Sequence, residues 1–268
     1  MNTAILFRKK SKPSALALAK DLQSLGLEVS CFTPWKCNTK DFQCLVNVGN
    51  SIDVSHKNII NPPRSIRTSA NKRLARIRFK AKNIPAPTLW LDYRKIPSCE
   101  YPVVGRTSYH MKAKGFWFCK NQREARTAKT KGATHFMKFI KNTSEFRCHC
   151  FSGLIHPKNP EDYKIVKISE KVITADTKDD IIKNHDHGYA FVHPRNVSSK
   201  FVPIVSDVAK LVLCKFGLHF GGIDIMYSHN THKPYVLEIN STPCLTDENT
   251  DTSAIYAENV LNLVNQCR

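Results

Sequence analysis

The sequence predicts a mixed α/β (α+β) chain, in which a small N-terminal α/β unit precedes a longer-stranded body that ends in a hairpin and a helix. Three observations carry that expectation. Short apolar runs at 3–7 and 44–48 flank a helical pattern with apolar residues at Leu16, Leu18, Leu22, Leu25 and Leu27. From Thr134 onward the pattern turns to longer strands, at 134–140, 145–155 and 163–173. Residues 221–227 and 235–243 both alternate apolar with polar or small residues, and the segment between them is rich in turn formers, as in an antiparallel pair.

The remaining elements follow in order. Asn61-Pro62-Pro63 is expected to stop any regular element, after which Ser69 or Asn71 caps a helix running to about Lys82. Pro85 and Pro87 end that helix. Strands are expected at 101–106 and 115–119 and a short helix near 121–131. A loop holds Pro194, a helix runs from about Pro203 to Phe216, and a last helix from Thr252 to Cys267 carries Ile255, Tyr256, Val260, Leu261 and Val264 at helical spacing.

The hairpin is where chemistry concentrates. With the turn centred on Thr231, Asp224 falls opposite Glu238 and Asn240 opposite Gly222. Opposed residues stand roughly 4.5–5.5 Å apart at Cβ. Period two keeps Glu238 and Asn240 on one face, so two carboxylates and an amide converge. These are hard oxygen ligands of the kind that bind magnesium together with nucleotide phosphates. An ordinary amphipathic hairpin with a polar outer face fits the alternation equally well.

Composition narrows the classes. The 268 residues are 41% hydrophobic and 24% charged, values of a globular chain, and no apolar run approaches the length that spans a bilayer. The N-terminal apolar run precedes its basic pair and lacks a small-residue cleavage pattern, so the cytoplasm is the expected compartment and no membrane contact is expected. Ten scattered cysteines without a Cys-x-x-Cys pair point to reduced thiols. Cys148-His149-Cys150 and His185-Asp186-His187 suit a strand and a loop better than metal sites. The net charge of +19 leaves nucleic acid or another polyanion open as a partner.

Several segments taken in order resemble the ATP-grasp superfamily of carboxylate-amine ligases, over roughly residues 69–250. Asn71-Lys72, followed by Asn83-Ile84-Pro85-Ala86-Pro87-Thr88, is similar to the family's Asp-Lys segment and its Ile-Pro-x-Pro. Tyr101-Pro102-Val103-Val104-Gly105-Arg106 resembles its Phe-Pro-x-Val-x-Lys strand. His135-Phe136-Met137-Lys138-Phe139-Ile140 looks like the interlobe segment that reads adenine. Gly-x-Asp followed by Glu-x-Asn-x-x-Pro resembles the metal signature, at Asp224, Glu238 and Asn240.

The resemblance implies an ATP-grasp fold: an N-terminal α/β domain (1–65), a central lobe (66–134) and a C-terminal lobe with the metal hairpin (135–268), the two lobes clasping ATP. It implies ATP and Mg2+ (or Mn2+) as cofactors. Lys72, Arg106 and Lys114 then hold phosphate, Lys138 and the backbone of Phe139 and Ile140 face the base, and Glu145 accepts from the ribose hydroxyls. Arg106, Arg147 and Lys167 assist the reaction beside the terminal phosphates or an acidic substrate. Two departures stand out: the loop 107–118 has few glycines, so His110, Lys112 and Lys114 are expected to supply its donors, and Gly222 stands where some members carry an arginine. Cys244, in place of a common glycine, is expected either to line the acceptor pocket or, more simply, to pack.

The implied reaction joins a small-molecule or peptide carboxylate to an amine through an acyl phosphate, with an acidic or nucleic-acid-linked acceptor suggested by the charge. Many members dimerise, which leaves a homodimer open. Two rivals stand beside it. An ATP-grasp kinase would leave phosphate on its product, and a non-catalytic basic module would bind nucleic acid without magnesium-ATP.

Overall fold

The computed structural model describes residues 2–108, 115–174, 188–192, 200–242, 244–246 and 251–267. Its N-terminal unit is a parallel sheet, ordered β2-β1-β3-β4, of β1 (Thr3–Phe7), β2 (Val29–Phe32), β3 (Cys44–Val48) and β4 (Ile59–Ile60). Every residue of β1 and β3 is buried, which explains their mostly apolar runs. α1 (Lys12–Ser24) buries Leu18 and Leu22 but ends before Leu25, and Leu16 and Leu25 lie exposed, so the five-leucine stripe is only partly a helix face.

The proline pair opens an element where a stop is expected. Pro63 is the first residue of α2 (Pro63–Ala70), a position whose missing N–H goes unused in any helix. α3 (Lys72–Ala81) follows, and Asn71 is its cap, accepting from the Leu74 N–H at 3.0 Å. Ser69 lies instead in α2.

A second sheet, antiparallel and ordered β5-β8-β6-β7, contains β5 (Leu89–Trp90), β6 (Val103–Arg106), β7 (Phe116–Cys119) and β8 (His135–Lys138). α4 (Gln122–Thr130) joins β7 to β8 and packs Ala125 and Ala128 into a small core with Val103, Cys119 and Phe136.

The third sheet has order β11-β10-β9-β12-β13 and consists of β9 (Thr143–Ser152), β10 (Tyr163–Ile173), β11 (Tyr189–Val192), β12 (Phe220–Ser228) and β13 (Lys233–Asn240). α5 (Val202–Phe216) lays Val205, Ala209, Val212, Leu213 and Phe216 against it, and Gly217 in the left-handed region (φ 65°) ends that helix. α6 (Thr252–Val264) packs Tyr256, Val260 and Leu263 into one core with α1, β1 and β3, and with Phe151 and Phe220 of the third sheet. That shared core fixes the N-terminal unit against the strands that carry the hairpin. No described helix is long and apolar enough to cross a membrane.

Candidate active site

The hairpin β12–β13 forms with the expected pairing at its chemical end: Gly222 faces Asn240 and Asp224 faces Glu238. The turn lies half a residue earlier than a Thr231 centre, since Ser228 faces Lys233, and a bulge between Asp224 and Ile225 restores the register. Asn240 Nδ2 lies 3.2 Å from Glu238 Oε1 and 3.5 Å from Asp224 Oδ2, so the three side chains converge. A turn of the amide exchanges its nitrogen for an oxygen at nearly the same place. Two carboxylates and an amide oxygen fit a magnesium ion that takes its other ligands from phosphates and water. Among the described residues no group of three or more His, Cys, Asp or Glu gathers elsewhere as an alternative metal site.

β12 is an inner strand, and its other neighbour supplies the counter-charge. Asp224 is paired in register with Arg147 of β9, whose Nε and Nη2 donate to Oδ1 and Oδ2 at 2.7 and 2.8 Å. Burial pushes the Asp224 carboxyl up, and Arg147 pulls against it. Glu238 is half-buried, and the desolvation alone would raise its pKa. Lys72 and then Arg147 outweigh burial and hold it at about 2. Lys72 reaches Glu238 from the first residue of α3, with its Nζ on Oε2. Both acids are therefore held near cations in a place where an unpaired charge costs several kcal/mol.

Arg106 ends β6, its guanidinium 5.2 Å above the Phe116 ring, and burial lowers its pKa to about 10. Its buried Nε has no hydrogen-bond partner among the described residues, a donor that suits an anion. Lys138 pairs with Glu100 at 2.7 Å. The Phe139 N–H is taken by the Pro102 carbonyl at 3.3 Å. Glu145 pairs with Lys171 at 2.5 Å. Lys167 donates to Asp251 at 2.6 Å and to Thr252 Oγ1 at 2.9 Å, at the start of α6. Lys114, with His110 and Lys112, lies outside the described residues, as do Pro243 and the cluster His185-Asp186-His187.

Lys72, Arg106, Lys138, Phe139, Ile140, Glu145, Arg147, Lys167, Asp224, Glu238 and Asn240 all line one cleft of about 1710 Å³. Cys244 lines it too and is exposed, so the simpler expectation of a packed cysteine is corrected; its neighbour Leu245 is the residue that packs into the core.

Three contributors escaped the sequence. Arg76 of α3 is buried and donates to the carbonyls of Val236 (Nη1, 2.8 Å) and Leu237 (Nη2), gripping the bulge that carries Glu238. Its spacing of four from Lys72 on one helix was the available signal. Lys171 lies on the same face of β10 as Lys167 by period two. Phe191 of β11 has no such signal. Its ring lies under both Arg147 (4.2 Å) and Lys171 (4.9 Å).

No family model matches the chain, and no curated protein matches it either. Solved structures do. D-alanine–D-alanine ligase from Bacillus anthracis superposes over 100% of this chain and 94% of its own, with a TM-score of 0.69 at 14% identity. The same ligase complexed with ATP gives a TM-score of 0.68, also at 14% identity, with 100% and 96% covered. N5-carboxyaminoimidazole ribonucleotide synthetase from Thermotoga maritima matches over 98% of this chain and 76% of its own, at a TM-score of 0.66 and 15% identity. The ATP-grasp ligase PsnB, complexed with minimal precursor, Mg and ADP, covers 100% and 97% at a TM-score of 0.67 and 10% identity. The chain has the ATP-grasp fold.

Proposed function

We propose that the protein is an ATP-dependent carboxylate-amine ligase working through an acyl phosphate. The observation that carries this reading is the convergence of Asp224, Glu238 and Asn240 in a cation-lined cleft of an ATP-grasp fold. Support comes from the neighbours, which are ligases or a synthetase, one solved with ATP and one with Mg and ADP. In this reading residues 66–134 and 135–268 approximate the two lobes, with β8 (His135–Lys138) staying in the sheet of the first, and ATP lies between them.

Each residue then has a physical task. Ile140 and its neighbours meet the base, Glu145 accepts from the ribose, and Lys138 closes the rim of that end. Lys72 and Arg106 meet phosphate oxygens, the first as a compact point charge and the second through a fork whose Nε is already desolvated. Asp224, Glu238 and Asn240 would hold magnesium, which when bound neutralises charge on the phosphates. The carboxylate substrate attacks the terminal phosphate, and an amine then displaces that phosphate from the acyl group. Arg147 holds Asp224 in place, and Lys167 orders the start of α6 at the far end of the cleft. Positioning and electrostatics supply the rate, and no protein nucleophile is required.

Product analysis tests the reading. The purified chain with magnesium-ATP and a panel of amino acids and peptides is expected to release ADP and free phosphate in step with an amide. Phosphate retained on the product would establish the kinase alternative instead.

A further inference from the structure

We infer that the end of the cleft beyond the metal residues is an anion-specific subsite built on Arg8, Lys9 and Lys10, which selects a small substrate carrying a carboxylate or phosphate in addition to its reacting group. The inference rests on the ligase reading for the order of sites, and on three observations for the subsite itself.

The first is position. At the tip of the hairpin, the His229 N–H donates to the Asn142 carbonyl at 3.0 Å and Asn142 Nδ2 to Asn230 Oδ1 at 3.0 Å, so the segment proposed to meet adenine sits at that end. At the opposite end, beyond Asn240, Thr242 packs so tightly on Gly49 (φ 73°) that a Cβ there would lie 2.3 Å from its Oγ1. Asp224 and Glu238 stand between. The N-terminal unit therefore walls the cleft on the side where a second substrate follows the phosphates.

The second is construction. Ser11 Oγ donates to the Val48 carbonyl at 2.7 Å and accepts from the Arg8 N–H at 3.1 Å. This buried serine pins the Arg8–Ser11 bend to the end of β3. The bend presents three exposed cations to the cleft, and none of them forms an ion pair with a described acid.

The third is charge. Among described residues eleven Lys and Arg side chains line the cleft against three carboxylates, and those three are each matched by a cation already. A triphosphate chelated by magnesium carries much of its own counter-charge, so among the described residues the Arg8–Lys10 wall is left without an acidic partner. A substrate with a second anion would meet that wall with charge-assisted hydrogen bonds, while a neutral one would meet uncompensated cations.

The test is calorimetric titration of glutamate, O-phosphoserine and alanine into the full chain loaded with magnesium and a non-hydrolysable ATP analogue. Glutamate or O-phosphoserine is expected to bind at least about tenfold tighter than alanine, and the ratio between those two tells carboxylate from phosphate. The combined variant R8A/K9A/K10A should lose that preference while its affinity for the analogue stays the same. Equal binding of alanine, no binding of either acidic probe, or an unchanged preference in the variant would overturn the subsite. So would an oligonucleotide that binds these residues more tightly than either probe. Amide formation is scored separately, so discrimination without amide product would remove the ligase reading and leave the anion subsite standing.

Discussion

Arg147 and Asp224 face each other across β9 and β12 and close a two-point fork, with both nitrogen–oxygen distances under 3 Å, at 2.7 and 2.8 Å. The pair is largely buried, and each partner is the condition for the other's burial. Arg147→Met should therefore cost about 3–5 kcal/mol in urea unfolding, because it strands a desolvated carboxylate. Adding Asp224→Asn should recover part of that loss. Additive penalties in the double variant would show that the fork is not a coupled unit.

The Arg76 guanidinium acts on Glu238 through backbone. It holds the carbonyls of Val236 and Leu237 at the bulge, and burial lowers its own pKa to about 9. Arg76→Met should lower kcat/KM by about 10- to 100-fold, since a shift of about 1 Å in a positioned group has that effect. Stability should fall by about 1–3 kcal/mol from the unpaired buried carbonyls. An unchanged kcat/KM with reduced stability would make Arg76 a purely structural residue.

His219 gives the fold an acid limit. Its Nδ1 accepts from the Asn61 N–H at 2.9 Å and its Nε2 lies 2.8 Å from the Ile155 carbonyl, which fixes a neutral ring. Burial lowers its pKa from 6.5 to about 4. The unfolded chain takes up the proton first, so the stability from this group is complete above pH 6.5 and is lost as pH falls toward 4. The total is about 3 kcal/mol. Urea titrations at neutral and acid pH should show that slope in the native sequence and a flatter one in His219→Gln. Parallel slopes would contradict it.

What the sequence made legible was the chemistry with a fixed period. Asp224, Glu238 and Asn240 could be placed opposite their partners because a strand has a strict two-residue repeat. The bulge itself was not legible, since nothing at Leu237 marks an extra residue, and without it the Arg76 contact has no meaning. The helix starting at Pro63 was missed because proline breaks a helix in its interior but opens one at its first position. The short strands β4, β5 and β11 carry too few residues to show a pattern, and β11 brings Phe191 beneath Arg147. In the sequence Arg8–Lys10 stands only as the basic run after the first apolar stretch. Its place on the cleft wall comes from the shared core of α1, α6 and the third sheet, which is a long-range packing result.

Binding of a fluorescent ATP analogue, followed as magnesium is titrated into the native chain and into Glu238→Gln, tests whether Asp224, Glu238 and Asn240 carry a magnesium-bound nucleotide. Magnesium-dependent binding is expected in the native chain. In the variant, whose fold should be intact by circular dichroism, binding should be weaker by at least about 10- to 100-fold, the size of loss expected when a charged ligand to a metal-phosphate group is removed. Equal magnesium-dependent binding in both chains would contradict it.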